Sequence, residues 1–167
     1  MVTIDFDFEN VGGLHECYAI PAADFKGTRV NLINNTHQLK MMLSNTEIIT
    51  IPMYADDTFS FTEDDDEEDG NKFWTPVIEG IIPKFGLNQD TIEKLARGEW
   101  IVLHEDNNGT VRLSGTSEIP LRCKTSPATG RAISERSDTM FTFSASQQQP
   151  SVIMESLDLD YYQNRLS

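Results

Sequence analysis

Residues 100–114 read Trp100-Ile101-Val102-Leu103-His104-Glu105-Asp106-Asn107-Asn108-Gly109-Thr110-Val111-Arg112-Leu113-Ser114. Two apolar runs flank a cluster of acid, amide and glycine, the composition of a β-hairpin with a polar turn. Val111 and Leu113 alternate with polar neighbours, the period of a strand with one face buried. A chain organised around such a unit is expected to be mainly β.

Reading toward the N-terminus, Asp90 fits the N-cap of a two-turn helix, with Glu93 three residues on. Ile92, Leu95 and Ala96 form its apolar stripe and Gly98 fits the position after its end. Two turns do not stand alone in water, so this helix is expected to lie on a sheet. Phe73 to Ile82, interrupted by Pro76 and Gly80, reads as a bent or bulged strand. The run Glu63-Asp64-Asp65-Asp66-Glu67-Glu68-Asp69 and the following Gly70-Asn71 read as an acidic loop. Thr58 to Phe61 is extended in pattern, and Glu47 to Met53 is strand-like up to Pro52. Thr28 to Ile33 reads as a strand before an Asn34-Asn35 turn, Leu14 to Ile20 as another. Val2, Ile4, Phe6 and Phe8 alternate with Thr3, Asp5, Asp7 and Glu9, a half-buried strand at the chain's start.

Toward the C-terminus, Leu121 to Lys124 adds a strand, Ser126 to Ser137 reads as an exposed loop, and Thr139 to Ala145 alternates again. Ser146-Gln147-Gln148-Gln149-Pro150 reads as a linker. Beyond it, Leu157, Leu159 and Tyr161 alternate with Asp158 and Asp160, an arm that docks on its own domain or on a neighbour. The fold expected is a β-sandwich or partly closed β-barrel with one short α-helix, extended loops and terminal arms. Residues 1–146 form the β-rich domain, with 63–71 an acidic loop insertion, and residues 147–167 form the C-terminal arm.

The chain has 167 residues, enough for one domain with a real core. Its 27 acids against 13 bases leave a net charge of −14, of which the acidic run supplies seven. Such a surface repels phosphate backbones and counts against a nucleic-acid reader. No apolar run approaches the length of a membrane span, and MVTIDFDFEN contains neither the basic stretch nor the apolar core of a secretory signal. Cys17 and Cys123 have no metal spacing and read as free thiols, with a long-range disulfide as the alternative.

A search for chemistry finds no GxSxG, HExxH, P-loop or GxGxxG pattern. His15, His37 and His104 have no partner at metal-ligand spacing and read as ordinary, partly buried histidines. The acidic run fails as a calcium hand: with Gly70 at the sixth position, Pro76 falls where a bidentate Glu is required. Trp74 and Trp100 lie within apolar segments and read as core rather than as a sugar platform. No catalytic residue, cofactor or metal is assigned.

The second half resembles small virion proteins of tailed phages and prophages of Bacteroides-like bacteria. The residues that carry the resemblance are Trp74-Thr75-Pro76-Val77-Ile78-Glu79-Gly80, the stretch from Leu95 to Gly109, Arg112 to Leu121, Thr129-Gly130, and Phe141-Thr142-Phe143-Ser144, within residues 73 to 146. The resemblance implies a non-enzymatic neck, tail-ring or tail-tube subunit, assembled in the host cytoplasm and located in the virion. Its implied partners are copies of itself, other neck and tail proteins, and DNA that passes through the lumen without specific binding; no membrane is involved. Under that reading Val2, Ile4, Phe6 and Phe8, the loop arginines Arg131 and Arg136, and Leu157, Leu159 and Tyr161 are the expected subunit contacts. The alternatives are a β-sandwich module binding glycan or protein, and an acidic mimic of DNA.

Overall fold

The computed structural model describes residues 12–31, 36–39, 47–52, 59–83, 87–128 and 138–155. In chain order its strands are β1 (Leu14–Pro21), β2 (Thr28–Asn31), β3 (Thr36–Leu39), β4 (Ile49–Ile51), β5 (Phe59–Glu68) and β6 (Asn71–Pro83). After the helix α1 (Gln89–Arg97) come β7 (Glu99–Asp106), β8 (Val111–Ser114), β9 (Leu121–Ala128), β10 (Asp138–Ser144) and β11 (Val152–Ile153). Nine strands form one antiparallel sheet in the order β11-β8-β7-β9-β10-β6-β5, with β1 and β4 branching from β7. The sheet is not closed into a barrel; it folds over into a sandwich-like arrangement, and β2 with β3 forms a separate two-stranded sheet. No helix among the described residues is long and apolar enough to cross a membrane.

The fold-over happens on β7. One edge of β7 is taken along its length by β1, from Asp106 opposite Leu14 to Trp100 opposite Pro21. The other edge is shared: β8 covers Val102 to Glu105, and β9 covers Glu99 and Trp100. Where β8 leaves, Gly115 adopts φ +93°, and a side chain there would press on the Trp100 carbonyl and the Leu121 side chain at 3.2 Å each. Glycine alone meets both demands.

Two cores result. Between the layers, Cys17 and Ala19 of β1 pack with Phe59, Ile78, Ile82, Leu121, Phe141 and Phe143 of the far layer. On the outer face of β7, Ile101 and Leu103 pack with Ile20, Phe25, Leu113 and Met154. The strict in–out alternation of Trp100, Val102 and His104 against Ile101 and Leu103 thus serves two cores, and residues 100–104 are all buried.

Several expectations are corrected. The acidic run is no loop: Phe59 through Glu68 form one ten-residue strand laddered against β6 as far as Glu68 opposite Asn71. A complete cross-strand ladder outweighs the poor strand preference of Asp and Glu. Asp69 (φ 50°) and Gly70 (φ 77°) are both left-handed, the requirement of a tight two-residue hairpin turn. Because β10 reaches only to Val77 and Gln147 bridges Trp74, the end of the β5–β6 hairpin has no other described strand beside it, and residues 64–72 are all exposed. β6 is continuous through Pro76. Trp74 pairs with Gln147, so Pro76 two residues on aims at the gap before the β10 ladder begins, where no donor is needed.

The helix begins earlier than expected, with Asn88 as N-cap accepting from the Thr91 N–H at 2.8 Å, so Asp90 sits in the first turn. Ala96 is exposed and the buried residue is Leu95. Gly98 is extended rather than left-handed; glycine is needed there because a Cβ would lie 2.5 Å from the Trp100 ring. Trp100 in turn donates its indole N–H to the Leu95 carbonyl at 2.9 Å, tying helix to strand. Residues 126–128, expected in a loop, extend β9 opposite Asp138 to Met140. Residues 147–155, expected in the arm, are part of the domain. Gln147 is buried, and Val152 and Ile153 pair with Leu113 and Arg112.

Candidate functional site

At one end of the inner core the side chains turn polar. β7 contributes His104, β8 contributes Arg112 and Ser114, and β5 contributes Phe61 and Glu63, the inward members of their strands by the period of two. The C-terminal segment crosses this end and adds Ser151. The Phe61 and His104 rings lie 4.6 Å apart between centroids, and the Arg112 guanidinium sits 5.4 Å from the Phe61 ring on an ion pair to Asp106 of 3.0 Å. Burial raises the Asp106 carboxyl, but hydrogen bonds from the Thr110 N–H, Arg112 and the Asn108 N–H outweigh it and hold the group below the usual range.

A hydrogen-bonded chain runs through this seam. Glu63 Oε2 accepts from the Ser151 N–H at 2.9 Å and from its hydroxyl at 2.6 Å. Ser151 Oγ lies 2.8 Å from Ser114 Oγ, and Ser114 Oγ lies 3.3 Å from His104 Nε2. Proton counting fixes the direction, since an ionised carboxylate only accepts. Ser151 donates to Glu63, so Ser114 donates to Ser151, and His104 donates its Nε2 proton to Ser114. Nδ1 is then a bare lone pair, and in its buried position it has no hydrogen-bond partner among the described residues.

This order of groups is not that of a hydrolase. A serine triad needs its acid on the far nitrogen of the histidine, whereas Glu63 lies two hydroxyls away on the near side. Desolvation, with a smaller push from Arg112, lowers His104 to about 3, so it stays neutral across ordinary pH. Its side chain is fully buried. The seam binds the acidic strand, the β7–β8 hairpin and the C-terminal segment together.

Beside the seam, and sharing Ser151 with it, is a cleft of about 250 Å³. Phe25, Leu113, Pro150 and Val152 supply its apolar surface, while Thr116 and Gln149 are among its polar lining. Among the described residues no ionisable side chain lines it, in a chain of net charge −14. A charge placed there would lose its hydration without a partner among the described residues.

Among the described residues no group of three or more His, Cys, Asp or Glu gathers in a metal-binding arrangement. Cys17 and Cys123 are free and buried in the inner core. Burial raises both thiols, with Cys123 pushed up to about 12. Trp100 is core, while Trp74 is half-buried with the Lys72 ammonium 5.5 Å from its ring centroid.

The contacts expected from sequence, Val2, Ile4, Phe6, Phe8, Arg131, Arg136, Leu157, Leu159 and Tyr161, lie outside the described residues. The described chain begins at Gly12, whose carbonyl accepts from Asn107 Nδ2, and ends at Glu155, whose N–H bonds the His37 carbonyl at 2.8 Å. Sequence reading missed Glu63, Ser114 and Ser151. The one available signal was the alternation that puts His104 on the same face as Trp100 and Val102. Comparison with protein-family models, curated proteins and solved structures finds no match.

Proposed function

We propose that this chain is a non-enzymatic structural protein of a tailed-phage virion, a subunit of a neck or tail ring or tube. It packs against neighbouring copies and the head–tail connector around the DNA path. The observation that carries the reading is the acidic β5–β6 hairpin, exposed from residue 64 to residue 72. An exposed hairpin whose charge is almost all of one sign presents a face that its own domain leaves uncovered. Six acids lie within residues 64–72 of that hairpin against the single base Lys72, a surface that lets phosphate slide past rather than holding it. The resemblance of residues 73–146 to virion proteins supports the same reading.

The test is mass in solution by light scattering over a wide concentration range, with negative-stain imaging of the same samples. Rings several times the 18.9 kDa chain are expected. A chain that holds its monomer mass throughout and forms no ring would overturn autonomous assembly and favour a second reading.

That second reading is a β-sandwich module for glycan or protein, and the uncharged cleft beside Leu113 favours it. It requires a monomer whose cleft resonances shift on addition of a neutral oligosaccharide.

A further inference from the structure

We propose that the uncharged cleft beside the seam binds a small neutral molecule, largely apolar and carrying one hydrogen-bond donor, such as an alcohol or a phenol. The side-chain carbonyl of Gln147 is the acceptor for that donor. The site does not depend on whether the chain assembles into a ring.

Gln147 is 3% exposed, and its backbone N–H and carbonyl both bond Trp74. Its Nε2 donates to the Ile119 carbonyl at 2.9 Å. That bond fixes which way the amide faces, since the Ile119 oxygen needs a donor and Oε1 carries none. The Ile119 carbonyl is itself held: the Thr116 N–H reaches it at 3.1 Å, and the Ile119 N–H returns to Thr116 Oγ1 at 3.0 Å. Oε1 of Gln147 has no hydrogen-bond partner among the described residues. It is not sealed in either, because His104 Nδ1 alone is both enclosed and unpartnered among them. In a side chain so deeply buried, Oε1 meets open space where Gln147 lines the cleft.

The rest of the lining sets what the donor is attached to. Phe25, Leu113, Pro150 and Val152 supply apolar surface, and no ionisable side chain joins them among the described residues. Three hydroxyls of the wall are engaged within the fold: Ser151 with Glu63 and Ser114, Thr116 with the Ile119 N–H, and Thr28 with His37. A buried acceptor among apolar groups discriminates between ligands. One with a donor pairs Oε1, whereas one without covers the oxygen and leaves it unsatisfied. A volume of about 250 Å³ suits a molecule of one ring rather than a drug-sized ligand.

The experiment titrates p-cresol and toluene, which differ by one hydroxyl, into the 15N-labelled full-length chain. Saturable p-cresol shifts are expected at the Gln147 side-chain amide, Leu113 and Val152, with toluene binding about tenfold more weakly. The p-toluate anion, the same ring with a charge, is expected to move none of them. No saturable shift with p-cresol, shifts confined to a surface away from the cleft, or a response to p-toluate or a neutral hexose alone overturns the site. Equal affinity for p-cresol and toluene overturns the role of Gln147. Gln147→Met is expected to bring the two affinities together, and a difference that persists in that variant overturns the role as well. Should Gln147→Met fail to fold, Val152→Phe decides, since it fills the cleft from a half-buried position on β11. It is expected to weaken both ligands alike by about tenfold or more, and unchanged binding overturns the proposal.

Discussion

Glu63 and Ser151, 88 positions apart, meet at a single oxygen: Glu63 Oε2 accepts both the Ser151 N–H at 2.9 Å and the Ser151 hydroxyl at 2.6 Å. The first acid of the acidic run is therefore not one of its exposed charges but the anchor of the C-terminal segment. Its inward place on β5, in step with Phe59 and Phe61, separates it from Asp64 and Asp66 on the other face.

Glu63→Ala removes two charge-assisted bonds and leaves the Ser151 N–H without its acceptor. A loss of about 2 kcal/mol in urea unfolding is expected, with faster amide exchange concentrated in residues 147–155. Exchange that rises evenly over the whole sheet would contradict an anchoring role.

His104 gives the fold an acid-sensitive element. Its folded value of about 3 lies below the 6.5 of an unfolded histidine, so between those values the unfolded chain binds more protons and stability rises with pH. The stabilising contribution is complete above about pH 6.5 and falls by about 1.4 kcal/mol per unit on acidification toward pH 3. Replacing His104 with Phe is expected to flatten this limb. The difference in unfolding free energy between wild type and His104→Phe should shift in the variant's favour from pH 7 to pH 4.5, and a pH-independent difference would refute the assignment.

The exposed acids of β5 protect a strand edge. β5 hydrogen-bonds to β6 on one side only among the described strands, and charges along an edge discourage pairing with another chain. Changing Asp64, Asp66, Glu67 and Glu68 to Asn or Gln moves the net charge from −14 to −10. The variant is expected to associate through that edge at concentrations where the parent does not, visible as added β signal in infrared spectra and rising scattered light. Unchanged solubility at low ionic strength would count against this role.

Gly98→Ala puts a methyl 2.5 Å from the Trp100 ring, which is fixed by its bond to Leu95. Overpacking of this kind costs about 1–3 kcal/mol. Thermal unfolding should register it, whereas Gly12→Ala, with open space around the added carbon and no left-handed backbone, should be near neutral.

Both thiols should be inert in the native chain. Burial raises Cys17 and Cys123 alike, so a disulfide reagent at pH 8 is expected to label neither until denaturant is added, and then both. Rapid labelling of native protein would show that the core opens far more readily than its packing implies.

Much of the fold was legible in the sequence for specific reasons. The 100–114 hairpin was visible because its alternation and its turn composition agree. β10 was visible because Phe141 and Phe143 alternate. The acidic strand was not, because strand reading depends on side-chain preference and β5 is held by backbone pairing to β6. Yet Asp69-Gly70, the strongest short hairpin signal there is, stood in plain view and was absorbed into the charge run. The seam was illegible in principle: Glu63, Ser114 and Ser151 come from three separate stretches, and Ser151 follows a polar linker that has no periodicity at all.

The pairing of β1 with β7 sets a timetable for synthesis. Cys17 must wait for His104 to be made before its strand finds that partner, a delay of about 4–17 s at ordinary elongation rates. Throughout that interval the apolar face of β1 is without its main neighbour, while the β5–β6 hairpin can form as soon as its turn emerges. The acidic stretch is thus on hand, with its repulsion to hold neighbouring nascent chains apart, before β1 meets its main partner.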